Sequence, residues 1–448
     1  MKNWKIVILL CGLVAILAAC GNGGAAPSTE SEVNSESEGE VVWEENLLDP
    51  ENPVTVKFYS YSLGNAAMKD GMQSLIDTFN NGIGKESGVQ VEGVIDDYTI
   101  FKKDIQAGLQ VDIVQDLFRT LDDSKTNYGF KAFEDVFPEE ELLKNKEGIN
   151  ENALQLGVID DKTYGWPFTF STPILYINAS IFEEAGLDPN DPPETWDEMY
   201  EMGEVIKEKT GKDALSLTQE NGWISQSLIY SNGGDILTPD RTEAVLASAE
   251  SIEAIESWKR FFTDGLSTPG TDAEVTQQFM AGNAAMMIQS TSVYSGVKES
   301  AEQAGFTLSG SIMPGFEGKE YKPTNSGSAL TVKPDTEEKA QAIWEFIKFA
   351  TSPDAYTLIT EEMGYLPLRT DIAEDPQYLK EYIDENPLLK INIESLPDIV
   401  PTEIWPGDYS AELESTYKDT LSEALTTDAT VEEILQNGQD TMNNIINQ

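Results

Sequence analysis

The segment between residues 53 and 114 constrains the fold of this 448-residue chain more than any other. Strand-like and helix-like apolar patterns alternate there, over residues 54–59, 66–80, 89–95, 99–108 and 111–114. This β-α-β-α-β order is typical of a parallel sheet with helices on its faces. Ligands of such sheets bind at the carboxyl ends of the strands. The pattern therefore predicts binding residues at Tyr59 and Tyr61 after the first strand and at Asp116 after the third.

The rest of the chain again mixes strands and helices, which predicts a second α/β lobe. Strand-like patterns cover residues 172–178, 214–217, 284–289, 306–313 and 328–332. Helix-like patterns cover residues 179–185, 196–209, 222–231, 242–263, 272–281, 336–350, 353–362 and most of the tail from 409. Trp196, Trp258 and Trp344 recur at helical spacing with other apolar residues, so we expect them in the core.

The composition excludes several kinds of chemistry. The chain has no histidine, which rules out Ser-His-Asp and Cys-His catalysis and histidine-ligated zinc. The 79 acidic and 29 basic residues give a net charge of −50, so nucleic acid and anionic lipid are not expected partners. We expect no cofactor, no metal and no catalytic residue, although carboxylate-only sites remain chemically open.

The N-terminus resembles a bacterial lipoprotein signal peptide. Lys2 and Lys5 precede a short apolar run that ends in Ala18, Ala19 and Cys20. The run is too short for a comfortable permanent membrane span, which needs about 20 apolar residues. The resemblance implies that residues 1–19 are removed and that Cys20 carries the lipid; an ordinary signal peptide is the alternative. The protein would then sit on the extracellular face of the membrane, in a host with a single membrane.

Residues 20–52 are predicted to form a flexible acidic linker after the lipidated cysteine. Gly, Ser, Pro and Glu dominate the stretch from 21 to 40, which has little apolar surface to bury. Order is expected to begin near Pro53.

A set of motifs in fixed order resembles the family 1 extracellular solute-binding proteins of bacterial ABC importers, especially their glycerol-3-phosphate- and sugar-binding members. The motifs are Tyr164-Gly165-Trp166-Pro167-Phe168, Ser171-Thr172-Pro173, Ala185-Gly186-Leu187-Asp188-Pro189, Pro192-Pro193-Glu194-Thr195-Trp196, Phe279-Met280-Ala281-Gly282-Asn283, Met313-Pro314-Gly315, Gly327-Ser328-Ala329-Leu330 and Gly364-Tyr365-Leu366-Pro367. The resemblance covers roughly residues 53–445.

The resemblance implies a two-lobe α/β fold of the periplasmic-binding-protein type, class II like maltose-binding protein, with hinge strands and a ligand cleft. Residues 53–168 with 290–326 would form the first lobe, and residues 169–289 with 327–448 the second. The implied activity is capture of a solute by hinge closure and its delivery to a membrane permease, without catalysis. The implied partners are a small solute, the ABC permease subunits and the membrane, and we expect a monomer.

The resemblance also implies ligand-binding residues. Ser171, Ser290, Gly327 and Tyr365 match ligand-contacting positions of the glycerol-3-phosphate-binding members. Trp223 lies close to the cleft tryptophan of the family, where its ring would stack on a sugar or polyol.

Two departures from the family pattern bear on the ligand. Phe118 and an acidic stretch at 412–414 stand near the positions of a carboxylate and an arginine that grip glycerol phosphate. The chain has only four arginines, Arg119, Arg241, Arg260 and Arg369. A buried phosphate favours bidentate arginine, whereas a neutral carbohydrate favours aromatics, carboxylates and amides. We therefore predict a sugar or oligosaccharide, with glycerol-3-phosphate or a glycerophosphodiester as the alternative and a surface-anchored two-carboxylate glycosidase as a remote one.

Overall fold

The computed structural model describes residues 41–65, 68–219 and 222–448. The predictions for the signal peptide, for Cys20 and for the linker up to residue 40 lie outside the described residues. The strands are β1 Val54–Ser60, β2 Val89–Ile95, β3 Ile113–Leu117, β4 Val158–Ile159, β5 Lys162–Thr163, β6 Trp166–Ser171, β7 Pro173–Asn178, β8 Asp213–Ser216, β9 Ala284–Ser290, β10 Leu308–Ile312 and β11 Ser326–Val332.

The α-helices fill most of the sequence between and after the strands. They are α1 Lys69–Asn81, α2 Ile83–Ser87, α3 Ile100–Gln106, α4 Leu121–Tyr128, α5 Glu139–Lys146, α6 Glu151–Gln155, α7 Ala179–Ala185, α8 Trp196–Thr210, α9 Gly222–Ser231, α10 Ala249–Thr263, α11 Asp272–Met280, α12 Tyr294–Ala304, α13 Glu337–Ala350, α14 Pro353–Met363, α15 Lys380–Glu385, α16 Pro387–Glu394, α17 Ser410–Thr426 and α18 Val431–Ile446.

The first sheet contains the predicted parallel core. Its five strands lie in the order β2-β1-β3-β11-β6, with β1 parallel to both β2 and β3. Strand β11 runs antiparallel to β3 and β6. Helices α1 and α3 lie where the helical spacing of residues 66–80 and 99–108 predicted them. They form the crossover connections that parallel strands require.

The second sheet has four strands in the order β10-β7-β9-β8. Only β8 and β9 are parallel, while β7 is antiparallel to both of its neighbours. The side chains of β7 alternate between two apolar cores, because successive strand residues point to opposite faces. Ile174 and Tyr176 belong to the core that also contains the first sheet, and Leu175 and Ile177 belong to the second core. The second sheet is therefore the wall between the two cores.

The predicted core tryptophans are confirmed. Trp196 and Trp258 are 1% exposed in the second core, and Trp344 is fully buried in the first. Trp344 packs edge-on against Trp166 at 5.5 Å between ring centroids.

The strand pairing differs from the predicted division into lobes. Strand β11, which we placed almost wholly in the second lobe, pairs in the first sheet, and β10, which we placed in the first lobe, pairs in the second. Buried polar contacts hold β11 in place: the Ser328 hydroxyl lies 2.5 Å from Thr169 Oγ1 and accepts from the Gln115 amide at 3.1 Å. Helices α13 and α14 pack into the first core as well, whereas α17 and α18 pack into the second.

One predicted helix begins later than its apolar spacing suggested. Residues 242–248 are not helical, and α10 begins at Ala249 with Ser248 as its N-cap. Asp240 Oδ1 accepts from the hydroxyls of Thr238 and Thr242, at 2.7 and 2.8 Å. These local bonds favour a turn over a helix.

Packed structure begins at Trp43 rather than near Pro53, so the linker ends earlier than we predicted. Trp43 packs against the core with its ring 6.2 Å from that of Phe137. The Gln341 side chain accepts from Leu47 N at 2.8 Å and donates to the Glu45 carbonyl at 2.9 Å. The polar residues Glu44, Glu45 and Asn46 interrupt the apolar pattern after Trp43, so the sequence does not signal this contact. In the part of the chain described, no helix is long and apolar enough to cross a membrane.

Residues 400–403 form one of the segments that run between the two cores, and they include the half-buried acid Glu403. Thr402 N donates to Asn325 Oδ1 at 2.9 Å, just before β11. The neighbouring Glu403 accepts from the Tyr230 hydroxyl at 2.9 Å and also senses the charges of Arg241 and Asp235. Burial raises the pKa of Glu403 to about 7, against the smaller opposing effects of Tyr230 and Arg241.

The raised pKa predicts that Glu403 destabilises the protein as the pH rises. The folded state binds more protons than the unfolded state between about pH 4.5 and 7, so the free energy of unfolding falls across that window. We expect Glu403→Gln to remove this dependence and to stabilise the protein at pH 8 by on the order of 1 to 3 kcal/mol. Urea unfolding at pH 5 and pH 8 measures the effect. The exposed Glu412→Gln is the matched control, and an unchanged pH slope in Glu403→Gln would contradict the prediction.

Candidate functional site

Four of the predicted ligand residues come together where the two sheets meet. We call the strand junction the place where β6 ends, β7 begins, β9 ends and β11 begins. Ser171 closes β6 and pairs with Ser326, the first residue of β11. Pro173 opens β7 and pairs with Ser290, the last residue of β9. Only Thr172 lies between the two strands.

Gly327 has a structural reason to be glycine. Its φ is +117°, and an added Cβ would lie 2.2 Å from the Thr169 carbonyl oxygen. No other residue fits without moving one strand of the junction. The backbone of β11 can therefore approach β6 closely at the position where the resemblance places a ligand contact.

Ser290 and Tyr365 border the same junction. The Ser290 hydroxyl lies 2.8 Å from that of Ser292 and accepts from Ser292 N at 3.1 Å, and so caps the short 3₁₀ turn that follows β9. Tyr365 is held beside β6 because Leu366 N donates to the Phe170 carbonyl at 2.9 Å. Burial raises the pKa of Tyr365 well above its ordinary value.

Tyr59 and Tyr61 point to different places, although both follow the first strand in sequence. Strand β1 ends at Ser60 and Tyr61 already has helical dihedrals, so the two rings do not share a face. The Tyr61 hydroxyl lies 3.3 Å from that of Tyr365. Tyr59 instead joins a separate small cluster with Phe101, and its hydroxyl donates to Asp104 at 2.7 Å.

Asp116 is engaged inside the protein. It is 3% exposed and accepts hydrogen bonds from the Ser124 hydroxyl, from Thr120 Oγ1 at 2.8 Å and from Leu117 N at 2.9 Å. These bonds organise the turn from β3 into α4. The structure brings Ser171, Ser290, Gly327, Tyr365 and Tyr61 together, and leaves Tyr59 and Asp116 in internal contacts.

Trp223 lines a cavity of about 490 Å³ next to the junction. The Trp223 carbonyl accepts from Thr324 Oγ1 at 2.9 Å, two residues before β11 begins. The side chain is half-buried against the second core. The other lining residues are Arg119, Gly222, Gln226, Asp272, Thr402, Trp405, Glu414, Tyr417, Lys418, Asp419 and Ser422.

An ion pair spans this cavity between the two lobes. Arg119, just after β3 of the first sheet, donates to Glu414 Oε1 of α17 at 2.8 Å, and Lys418 contacts the same oxygen at 2.6 Å. Burial alone would raise the pKa of Glu414, but Arg119 and Lys418 outweigh it and hold that pKa below its ordinary value. Asp272 and Lys418 are lining residues that the sequence did not single out, since both lie within ordinary helical patterns.

All four arginines bind other parts of the protein. Arg119 pairs with Glu414, Arg241 with Asp122 at 3.0 Å and Arg260 with Asp197 at 2.7 Å. The Arg369 guanidinium donates to three backbone carbonyls, including that of Thr351 at 2.6 Å. Arg369 therefore stabilises the chain around residues 145–147.

The lining suits recognition of a polar molecule with apolar faces. Indole and phenol rings lie beside carboxylates, an amide and hydroxyls, a set that hydrogen-bonds hydroxyl groups and stacks on C–H faces. Among the residues that the structure describes, no three acidic, histidine or cysteine side chains converge as metal ligands would.

Comparison with known proteins finds similar sequences among binding proteins. A lactose-binding protein of Rhizobium radiobacter is 25% identical over 274 residues, 59% of this chain and 65% of the relative. The sn-glycerol-3-phosphate-binding periplasmic protein UgpB of Brucella abortus (strain 2308) is 26% identical over 257 residues, 54% of this chain and 58% of the relative. The chain thus spans less than two thirds of the length of these curated relatives.

The fold is also that of solved binding proteins. The crystal structure of a cyclic α-maltosyl-1,6-maltose binding protein from Arthrobacter globiformis superposes with a TM-score of 0.75 at 22% identity. The superposition covers 88% of this chain and 99% of that one, which confirms the two-lobe, maltose-binding-protein-like fold.

A family model described as "Bacterial extracellular solute-binding protein" matches residues 75–388, more than half of the chain. The family consists of binding proteins of ABC importers rather than enzymes, so the glycosidase alternative is set aside. The chain belongs to the bacterial extracellular solute-binding proteins.

Proposed function

We propose that this protein is the lipid-anchored, extracellular solute-binding component of an ABC importer and that its solute is a neutral sugar or oligosaccharide. The ligand would occupy the space between Trp223 and the strand junction, where residues of both lobes meet. Closure of the lobes about the junction would enclose it, and the closed form would deliver it to a membrane permease.

We infer a neutral ligand chiefly because all four arginines already bind other groups of the protein. A buried phosphate needs bidentate arginine or a helix N-terminus to replace its hydration. Arg119 alone lines the cavity, and Glu414 already neutralises it. Trp223, Gln226 and Asp272 offer what a carbohydrate needs: a ring face, an amide and a carboxylate.

A glycerol phosphate remains the second candidate because of one specific observation. Arg119 and Lys418 both line the cavity and contact the same Glu414 oxygen, so a phosphate could compete with Glu414 for both cations. The identity to UgpB supports this reading, as the identity to the lactose-binding protein supports the first.

A thermal-shift screen decides between the two ligand classes. Ligand that binds only the native state raises the apparent melting temperature. We expect shifts with sugars such as lactose and maltose and little shift with sn-glycerol-3-phosphate or glycerophosphocholine. A shift with the phosphates alone would overturn the carbohydrate assignment.

Replacing Trp223 by alanine tests the ring at the proposed site. The ring lines the cavity but is only half-buried, so we expect Trp223→Ala to weaken binding of the best sugar by at least about fivefold through lost stacking, without unfolding the protein. Titration calorimetry measures the affinity and thermal unfolding checks the fold. The matched control is Trp43→Ala, which removes another half-buried indole that does not line the cavity. Equal affinities for wild type and Trp223→Ala would remove Trp223 from the site.

The lipid anchor is tested separately at Cys20. In the signal-peptide family that the N-terminus resembles, the cysteine after the small residues receives the lipid, and Cys11 would be discarded with the signal. We expect Cys20→Ser to leave the membrane fraction while keeping the sugar affinity, and Cys11→Ser to stay with the membrane. Membrane fractionation followed by calorimetry measures both. Membrane retention of Cys20→Ser would contradict the anchor, and loss of affinity would contradict the separation of anchor and site.

A further inference from the structure

Strand β10 is the outermost strand of the second sheet and has an open edge. It pairs with β7 on one side, and none of the described strands pairs with its other side. None of its five residues is buried, whereas three of the four residues of β8, at the opposite edge of the sheet, are. An unpaired edge presents free N–H and C=O groups to which another polypeptide can bind.

The pairing with β7 shows which backbone groups of β10 point outward. Ala179 N donates to the Thr307 carbonyl at 2.9 Å, in the same antiparallel register as β10 and β7. The hydrogen-bonding groups of successive residues in such a strand point alternately toward and away from the neighbouring strand. The odd-numbered residues of β10 therefore bond to β7, while Gly310 and Ile312 direct their N–H and C=O groups outward.

A groove of about 1130 Å³ lies along this open edge. Four consecutive residues of β10, 309–312, line it. Because successive side chains of a strand point to opposite faces, space that touches all four must lie along the edge. Ile312 is 40% exposed, and the half-buried Phe316 and Ile391 also line the groove. The groove thus offers apolar contacts as well as backbone groups to an extended chain.

The groove is also strongly acidic. Its lining contains one lysine, Lys319, and five carboxylates, those of Glu194, Asp197, Glu198, Glu201 and Glu317. Of these five, only Asp197 forms an ion pair with a residue that the structure describes, namely Arg260 at 2.7 Å. The unpaired charges favour an occupant that carries lysine or arginine.

Charge disfavours two occupants that the chain itself could supply. A second copy carries the same net charge of −50, so the two copies repel each other. Residues 21–40 contain five glutamates and neither lysine nor arginine, so the N-terminal segment is repelled as well. The occupant is therefore a different molecule, and a binding protein of an ABC importer has the permease as its partner.

We propose that the groove along β10 binds a basic, extended extracellular segment of the permease, which adds as a strand to β10 while its cationic side chains contact Glu201 and Glu317. This inference rests on the proposed importer function. Strand β7, the partner of β10, begins at the strand junction. The permease would therefore bind one strand away from the connection between the lobes.

Charge reversal tests the groove without changing the ligand cavity. Glu201 and Glu317 are exposed and do not line the cavity that contains Trp223. We expect Glu201→Lys with Glu317→Lys to keep the wild-type sugar affinity but to bind at least about fivefold more weakly to phosphatidylcholine proteoliposomes that contain the permease and ATPase subunits. The matched control, Glu256→Lys with Glu299→Lys, makes the same charge change at exposed positions outside the groove and should bind like wild type.

Proline at position 312 tests the addition of a strand. Ile312→Pro removes an outward-facing N–H and leaves the bonds to β7, an arrangement that edge strands tolerate. We expect it to bind the proteoliposomes at least about fivefold more weakly, and Ile312→Val, which keeps the N–H, to bind within about twofold of wild type. Thermal unfolding checks that each variant is folded, and the charge reversal decides by itself if Ile312→Pro is not.

Proteoliposome binding, sugar-stimulated ATP hydrolysis and calorimetry separate this inference from the proposed function. Weaker binding and weaker stimulation by the charge-reversed variant and by Ile312→Pro, at unchanged sugar affinity, support the inference. Wild-type binding and stimulation by the charge-reversed variant overturn the groove assignment alone. Failure of the wild-type protein to stimulate ATP hydrolysis with any sugar of the screen overturns the groove assignment and the proposed function together.

Discussion

The rest of the molecule depends on the continuity of the chain through Thr172. Strand β6 of the first sheet ends at Ser171 and β7 of the second begins at Pro173, so one residue joins the two sheets. The Thr172 carbonyl accepts from Thr291 N at 3.1 Å, and its hydroxyl hydrogen-bonds Asn392. Because β7 then presents its two faces to different cores, any rotation of one sheet relative to the other must be accommodated at this joint and at the neighbouring segments.

Ion pairs between the lobes oppose the same rotation at the joint. Arg119 with Glu414 and Arg241 with Asp122 both join the first lobe to the second. Separating either pair leaves an uncompensated charge in a partly buried setting, which costs more than breaking an exposed pair. The protein has a large excess of acidic residues and only four arginines. Because these arginines already have partners within the protein, they are less available to bind anions from solution.

Much of the architecture could be predicted from the sequence, because the apolar periods of β1, α1, β2, α3 and β3 are strong and local. The exchange of β10 and β11 between the sheets could not, since it is decided by antiparallel pairing with strands more than 100 residues away. Among the site residues, small residues at the junction follow from motif order. The cavity residues Asp272 and Lys418 do not, because their places in the lining depend on how α11 and α17 pack in the whole fold rather than on a local pattern.

The contacts of Trp43 and Gln341 determine where a pulling force on the N-terminal chain reaches the folded protein. Gln341 belongs to α13, whose Phe346 packs against Phe58 of β1 at 5.3 Å between ring centroids. A pull on the N-terminal chain is therefore transmitted through α13 into the first sheet and bypasses the joint at Thr172. In the anchored protein that we propose, the tether would therefore attach to the first lobe, and hinge closure would move the second lobe relative to the membrane.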